Sequence, residues 1–444
     1  MKQNNRYVKE LFELLSIPSI SAQTKHKKDM KKACDWLVNK LESNKFKASI
    51  LPTGGHSVVY AEHLKAGSNK PTLLIYGHYD VQDPEPLDEW TSKPFKPEIR
   101  SGNIYARGST DDKGQLYTWI AAIDELLKNK SKLPVNVKFL IEGEEEVGSK
   151  NLDEFVNQNK SLLEADICIV SDTHCISEKQ SAITYGLRGI VYFEIIVKTL
   201  EKDVHSGIYG GNVLNPINVL SVMISKLKND QHKILIPEFY ENVRILSTSE
   251  RKQLKTMPFT ENEVVEETGA KVCVGEQSYS PQARKSARPT LDANGIWGGY
   301  QEEGIKTIIP SCAGAKISMR LVPNQTADEI SAKFEKYINK ITPRGVEIEV
   351  NKLADGEPII MDRDSKYFRA AEKAYKSVFG TNPQYCLEGG SIPVTATFKT
   401  TLGKDTVLMG YGLPDDGAHG PNEKMSLSMF GKGIRTNIEF INNL

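Results

Sequence analysis

A ten-residue run, Thr72-Leu73-Leu74-Ile75-Tyr76-Gly77-His78-Tyr79-Asp80-Val81, constrains the fold of this chain more than any other feature. Its apolar part is short and bordered by Pro71 and Gly77, which reads as a buried strand of an α/β sheet. In extended chain, residues i and i+2 point to the same side. His78 and Asp80 therefore face one spot just past a strand's carboxyl end, where open α/β sheets bind ligands. A neutral imidazole is a metal ligand, and a nearby carboxylate fixes its tautomer and raises its basicity.

Two more apolar strands end in the same way. Val135–Ile141 runs into Glu142-Gly143-Glu144-Glu145-Glu146, and Ile167–Val170 runs into Ser171-Asp172. Acids this dense repel one another unless cations sit among them. Between these strands, Ile104 to Gly114 carries Arg107-Gly108-Ser109-Thr110-Asp111-Asp112 and precedes a helix predicted from about Gln115 to Leu127. Such a turn gathers polar groups at the positive end of a helix, and Asp111 or Asp112 also suits an ordinary N-cap. Helical spacing recurs over Val8–Leu15 and Lys27–Leu41, and residues 46–51 and 57–64 read as strands. Alternating strands and helices predict a mostly parallel sheet with helices on both faces, which sets the three strand ends side by side. The Pro84–Pro97 segment, with Trp90 and Phe95, is expected to be an ordered loop near that point.

The pattern changes at Gly186. A long strand over Gly189–Thr199 is followed by Asp203-Val204-His205-Ser206-Gly207 and a helix capped by Asn215 and Pro216. After a polar stretch to about Ala287, strands are predicted at Lys306–Pro310 and Ala315–Leu321, a helix at Ala327–Ile341 and a strand at Val346–Leu353. That β-α-β-β-α-β order predicts an α+β sandwich of ferredoxin-like type. It is expected to be an inserted domain, 186–355, between two parts of a catalytic domain, 1–185 and 356–444. Signals of the first kind resume at Tyr367–Phe379, Val407–Gly410 and a last helix from Ser426, with His419 in a late glycine-rich loop.

Composition narrows the function. Lys+Arg and Asp+Glu both total 57, which argues against a nucleic-acid or anionic-membrane partner. No apolar run of about 18 residues predicts a membrane span. The N-terminus does not read as a signal peptide, and six scattered cysteines without CxxC spacing suit a reducing compartment, so the cytoplasm is the expected location. Of eight histidines, His78, His205 and His419 lie in glycine-rich polar loops with acids nearby. His78, Asp111, Glu145, Glu146, Asp172 and His419 suffice for a dinuclear hydrolytic site, which needs a bridging carboxylate, terminal ligands and a base. Mixed nitrogen and oxygen donors suit zinc, manganese or cobalt.

The chain resembles the dinuclear metallopeptidase family that contains carnosinase, cytosolic non-specific dipeptidase, aminoacylase, succinyl-diaminopimelate desuccinylase and glutamate carboxypeptidase. The resemblance rests on Gly77–Val81, Arg107–Gly114, Glu144–Ser149, Ser171-Asp172, Thr184-Tyr185-Gly186-Leu187-Arg188-Gly189, His205-Ser206-Gly207 and Glu388-Gly389-Gly390-Ser391-Ile392-Pro393, in the family's order and nearly end to end. The dipeptidase branch is the most similar.

The resemblance implies two divalent cations per subunit, Zn2+ or Mn2+. Asp111 would bridge them, with His78 and Asp172 on one and Glu146 and His419 on the other. Asp80 would orient His78, and Glu145 would be the general base for a bridging water. The peptide between Asp111 and Asp112 is expected to be cis. His205 would reach a neighbouring subunit's site in a homodimer formed through the inserted domain. Arg320, Gly390 and Ser391 would bind the carboxyl end of a small peptide. The chain departs from carnosinase-like relatives at Ser365-Lys366, where those carry His-Pro near a helix start, a position that helps to recognise substrate. The expected function is a broad-specificity dipeptidase. An N-acyl-amino-acid amidohydrolase or a carboxypeptidase with the same metal site is the alternative, ahead of a catalytically retired scaffold.

Overall fold

The computed structural model describes residues 5–130, 132–390 and 392–444. The chain divides into two compact units. The first comprises the described residues of Met1–Tyr185, Met361–Cys386 and Pro393–Leu444, and the second Gly186–Ile360 and Leu387–Ile392. Residues 356–360 and the Leu387–Ile392 segment thus group with the insert rather than with the catalytic part, where the sequence reading had put them.

Two sheets are built from β1 (Lys47–Leu51), β2 (Val58–His63), β3 (Thr72–His78), β4 (Asn136–Glu142), β5 (Ile167–Val170), β6 (Ala182–Leu187), β7 (Gly189–Lys198), β8 (Thr290–Gly298), β9 (Cys312–Leu321), β10 (Glu347–Gly356) and β11 (Thr406–Leu408). The main helices are α1 (Arg6–Leu15), α2 (Lys27–Ser43), α3 (Lys113–Lys130), α4 (Pro216–Ser225), α5 (Ala327–Ile341), α6 (Lys366–Phe379) and α7 (Leu427–Asn442).

The large sheet runs β1-β2-β4-β3-β5-β11-β6. Its centre is parallel, with β3 between β4 and β5 and β11 beside β5. The flanks are antiparallel, so the sheet is mixed rather than mostly parallel throughout. The short turn through Thr53-Gly54-Gly55 forces β1 and β2 to run antiparallel, since a parallel crossover needs a dozen residues or more.

Both faces of β3 are covered. On one face Tyr76 meets Phe398 edge to face, ring centroids 5.9 Å apart. On the other, a Cβ added to Gly77 would lie 2.9 Å from Leu116 of α3 and 2.8 Å from the Asp112 carboxylate, so the helix start approaches the strand as only glycine permits. The α3 helix packs against α1 and α7, and α7 against α6. Trp119 of α3 is fully buried, stands edge-on to Phe440, and donates its Nε1–H to Ser171 Oγ at 2.7 Å, where β5 ends.

In the second unit the sheet order is β8-β9-β7-β10, antiparallel throughout, the ferredoxin-like arrangement. Val191, Phe193, Ile195 and Val197 alternate inward on β7 and share one core with Leu220 and Met223 of α4 and Phe334 and Ile338 of α5. The second strand of the motif is β8, not Lys306–Pro310. Asp292, Asn294 and Gly295 are residue types that favour turns. In the fold they belong to a largely exposed edge strand that is bulged between Ala293 and Gly295. Of the expected segment only Ile308–Ile309 is extended, and it pairs with Val204–His205. The polar stretch before β8 holds three short helices, Thr248–Thr256, Glu261–Thr268 and Pro281–Ser286. Ser247 with Glu250 and Thr260 with Glu263 form reciprocal capping boxes at the first two.

Phe193 and Phe334 are wholly buried with ring centroids 4.7 Å apart, at the centre of this second core. Phe334→Ala is expected to lower stability by about 3–5 kcal/mol through lost burial and the cavity left behind. Urea denaturation followed by circular dichroism checks it, and a midpoint equal to wild type contradicts it.

Candidate active site

The site forms where β3, β4 and β5 end and where two loops fold against them, all within the first unit. His78 closes β3 and is completely buried. Its Nδ1 lies 3.1 Å from the backbone carbonyl of Asp80 and 3.4 Å from Asp80 Oδ1. A carbonyl only accepts, so Nδ1 carries the proton and Nε2 is the nitrogen left for a ligand. That Nε2 lies 3.1 Å from Asp111 Oδ1 and 3.9 Å from Asp172 Oδ2.

Asp111 sits in the turn before α3. The Asp111–Asp112 peptide is cis, as expected. The turn folds so tightly that a Cβ on Gly114 would fall 1.8 Å from the Ser109 carbonyl oxygen. The second oxygen of Asp111 is 2.9 Å from His419 Nε2, and His419 in turn is 3.2 Å from Glu146 Oε2. Asp80 Oδ2 accepts the Glu146 backbone N–H at 3.1 Å. The structure thus joins His78, Asp80, Asp111, Glu146, Asp172 and His419 in one cluster. Glu145 lies beside them in the same 3-10 turn as Glu146. Among the described residues its carboxylate has no hydrogen-bond partner.

The electrostatics follow from crowding. Burial pushes the Asp111 carboxyl up, but hydrogen bonds from His419 and His78 outweigh it and hold the group well below the usual carboxylate range. Those bonds to Asp111, then to Glu146, raise His419 to about 10. Burial, then the Asp111 charge, pushes Asp172 well up. Burial also raises Glu145, to about 7, against the pull of His78. Ligand atoms of His78, Asp111 and Glu146 lie within 4.8 Å of one another. Imidazole nitrogen and carboxylate oxygen converging at that spacing, with more acids beside them than the two histidines neutralise, fit divalent cations.

His205, Arg320 and Gly390 belong to the second unit. His205 is exposed, and its Nδ1 accepts the Gly207 N–H at 3.0 Å. Arg320 is half-buried on β9. Ser391 lies outside the described residues.

Sequence reasoning gave no role to the pair that holds the cluster together. Arg107 and Glu423 are both buried, with Arg107 Nη1 2.9 Å from Glu423 Oε2. The two Glu423 oxygens also accept the backbone N–H groups of Gly108 at 2.8 Å, Thr110 at 2.9 Å and Asp111 at 3.1 Å. Arg107 Nη2 donates to the carbonyl of His419 at 3.0 Å and of Asp83 at 3.3 Å. Asp416 steadies the same loop, accepting from Thr110 Oγ1 at 3.1 Å and from the Leu413 N–H at 2.7 Å. Gln82, also unmarked, donates Nε2–H to Glu146 Oε2 at 2.8 Å. Arg107 stands in a run that was singled out, but nothing in sequence links it to an acid 316 positions away.

Residues 74–443 match the family described as peptidase family M20/M25/M40. The chain belongs to that family. It is 32% identical over 459 residues to a Cys-Gly metallodipeptidase of Schizosaccharomyces pombe, covering 100% of this chain and 96% of the relative. It is 32% identical over 383 residues to the human Beta-Ala-His dipeptidase, covering 85% and 75%. Among solved structures it is similar to an M20 family metallo-carboxypeptidase from Sulfolobus solfataricus, with a TM-score of 0.86, 34% identity and 98% of each chain covered. It is also similar to human carnosine dipeptidase 1, with a TM-score of 0.81, 29% identity, and 99% and 96% covered. As an M20 peptidase the chain is a peptide hydrolase, and His78, Asp111 and Glu146 form a group that could hold a metal ion. No helix among the described residues is long and apolar enough to cross a membrane.

Removing one member of a buried ion pair leaves the other charge uncompensated, at about 3–5 kcal/mol. Glu423→Ala is therefore expected to cost that much stability and to reduce bound metal, because three backbone N–H groups around Asp111 lose their acceptor together. Thermal unfolding and elemental analysis of the purified variant test this. Wild-type metal content in a folded Glu423→Ala protein contradicts it.

Proposed function

We propose that this M20 peptidase is a dipeptidase that hydrolyses small unblocked peptides with broad specificity, using two divalent cations per subunit, Zn2+ or Mn2+. The observation that carries the proposal is the union of His78, Asp111, Glu146 and His419 in one cluster, with the unpartnered Glu145 carboxylate beside it. His78 and Asp172 would hold one cation and Glu146 and His419 the other, with Asp111 between them. Cations held there would supply Lewis-acid polarisation of a peptide carbonyl and a lowered pKa for water. Glu145 takes the proton from the attacking water and hands it to the departing amine. Asp80 holds His78 in the tautomer that leaves Nε2 free and fixes the backbone of Glu146. His205 stabilises the developing oxyanion, and Arg320 with Gly390 and Ser391 binds the peptide's carboxyl end.

Relatives named as dipeptidases, matched over 100% and 85% of this chain, support the substrate class. A homodimer through the second unit is part of the same reading, supported by the exposed Ile296 and Trp297 on the edge strand β8. A cytoplasmic location is the companion proposal. The similarity to a solved metallo-carboxypeptidase favours one second reading, removal of single C-terminal residues from longer peptides.

Stripping metal with a chelator is expected to abolish activity, and zinc or manganese to restore it. A panel of Ala-Ala, Leu-Gly, β-Ala-His, N-acetyl-Ala and a tripeptide then separates the readings. Turnover of free dipeptides alone is the expected outcome. Preference for the tripeptide moves the chain to the carboxypeptidase reading, and turnover of N-acetyl-Ala to the amidohydrolase. Glu145→Gln is expected to lower kcat by about 10²–10⁴-fold with metal still bound. Loss of metal in that variant would place Glu145 among the ligands instead.

A further inference from the structure

Arg188 follows the Thr184–Leu187 run and precedes β7. Its side chain is nine-tenths buried. Nε donates to the Gly389 carbonyl at 2.9 Å, which ties it to the Glu388-Gly389-Gly390 turn. A Cβ on Gly389 would come within 3.2 Å of Arg188 Nη2 and 2.7 Å of the Lys285 carbonyl, so the turn lies flat against the guanidinium. Nη1 is buried and, among the described residues, has no hydrogen-bond partner. A buried donor left unpaired costs about 1–3 kcal/mol, more when charged, so native proteins rarely keep one without a purpose.

The acids that could pair with Arg188 are engaged elsewhere. Glu388 lies 3.6 Å from Lys285 and accepts the Gly389 N–H at 3.0 Å, and Asp292 lies 3.3 Å from Lys228. The other charge near Arg188 repels it. Arg320 sits on β9 opposite Ile190, two residues beyond Arg188, and among the described residues it has no ion pair or hydrogen bond of its own. Burial and then the Arg320 charge push Arg188 down to about 10. Glu388 and Asp292 act on Arg188 only from beyond ion-pair distance, so among the described residues neither guanidinium has an ion pair.

We propose that Arg188 and Arg320 form one anion subsite, in which Arg188 holds the Gly389-Gly390 turn through Nε and presents Nη1 to a carboxylate of the bound peptide. The subsite deepens the dipeptidase reading and rests on it for the identity of the ligand. A guanidinium suits the task because its planar donors match carboxylate geometry. The carboxylate is either the peptide's free C-terminus or an acidic side chain.

Binding is measured by isothermal titration calorimetry on metal-loaded protein carrying Glu145→Gln, so that ligands survive. The ligands are Ala-Ala, Ala-Ala amide and Ala-Glu amide. Adding Arg188→Met is expected to weaken Ala-Ala about ten- to hundredfold, the size of one lost charged hydrogen bond, and to leave Ala-Ala amide within about twofold. Selective weakening of Ala-Glu amide instead would keep the subsite and assign it to an acidic side chain. Equal weakening of all three ligands, or of none, overturns the proposal. Should Arg188→Met not fold, Arg188→Lys must show an intermediate loss confined to carboxylate ligands, and no such loss overturns the proposal equally. With Glu145 intact, the matching kinetic signature is a raised KM with kcat little changed. Absence of any peptide turnover by the wild type would fail the dipeptidase reading while leaving these binding differences to decide the subsite.

Discussion

The cluster depends on one buried ion pair. Arg107 and Glu423 are almost wholly removed from water, and burying two charges costs several kcal/mol per ion before any contact offsets it. The offset here is coordination. Glu423 accepts from Arg107 and from the backbone N–H groups of Gly108, Thr110 and Asp111, while Arg107 reaches back to the carbonyls of His419 and Asp83. Asp111 and His419 are more than 300 positions apart, yet they come to 2.9 Å because this pair fixes the loops that carry them. An apolar pair of equal volume could fill the space, but it could not hold those backbone atoms in register.

The strand ends were legible because they follow from local rules. A short apolar strand bordered by proline and glycine, ending in His78 and Asp80, places both side chains without knowledge of the rest of the chain. Glu145, Glu146 and Asp172 were legible for the same reason. The Arg107–Glu423 pair was not, since an isolated arginine and an isolated glutamate have no period and no fixed spacing. Gln82 is similar: its role appears only once the Glu146 turn is folded beside it.

The second unit shows the other way in which sequence reading falls short. Its α/β order was read correctly for β7, α4, β9 and α5, which bury one regular face, and for the edge strand β10, whose half-buried Ile348 and Val350 alternate against the same core. The strand that escaped, β8, pairs on one side only and buries little, so its composition is that of a loop. Edge strands are where the alternating pattern weakens, because solvent tolerates Asp292 and Asn294 where a core would not. The two capping boxes at Ser247 and Thr260 were readable from their S/T-x-x-E spacing and mark real helices in a stretch that looked featureless.

Asp80 links the two halves of the proposed metal centre. One side of its carboxylate faces His78 Nδ1, and the other accepts the Glu146 N–H. His78 and Glu146 are assigned to different cations, so a single buried carboxylate sets the geometry on both sides of Asp111. The consequence is that the two positions are not independent. Asp80 is thus the shared contact of the His78 ring and the Glu146 backbone, the two residues that flank Asp111. This explains why two strand ends, β3 and β4, must be neighbours in the sheet for the site to exist at all, and why the parallel centre of the sheet, rather than its antiparallel flanks, carries the chemistry.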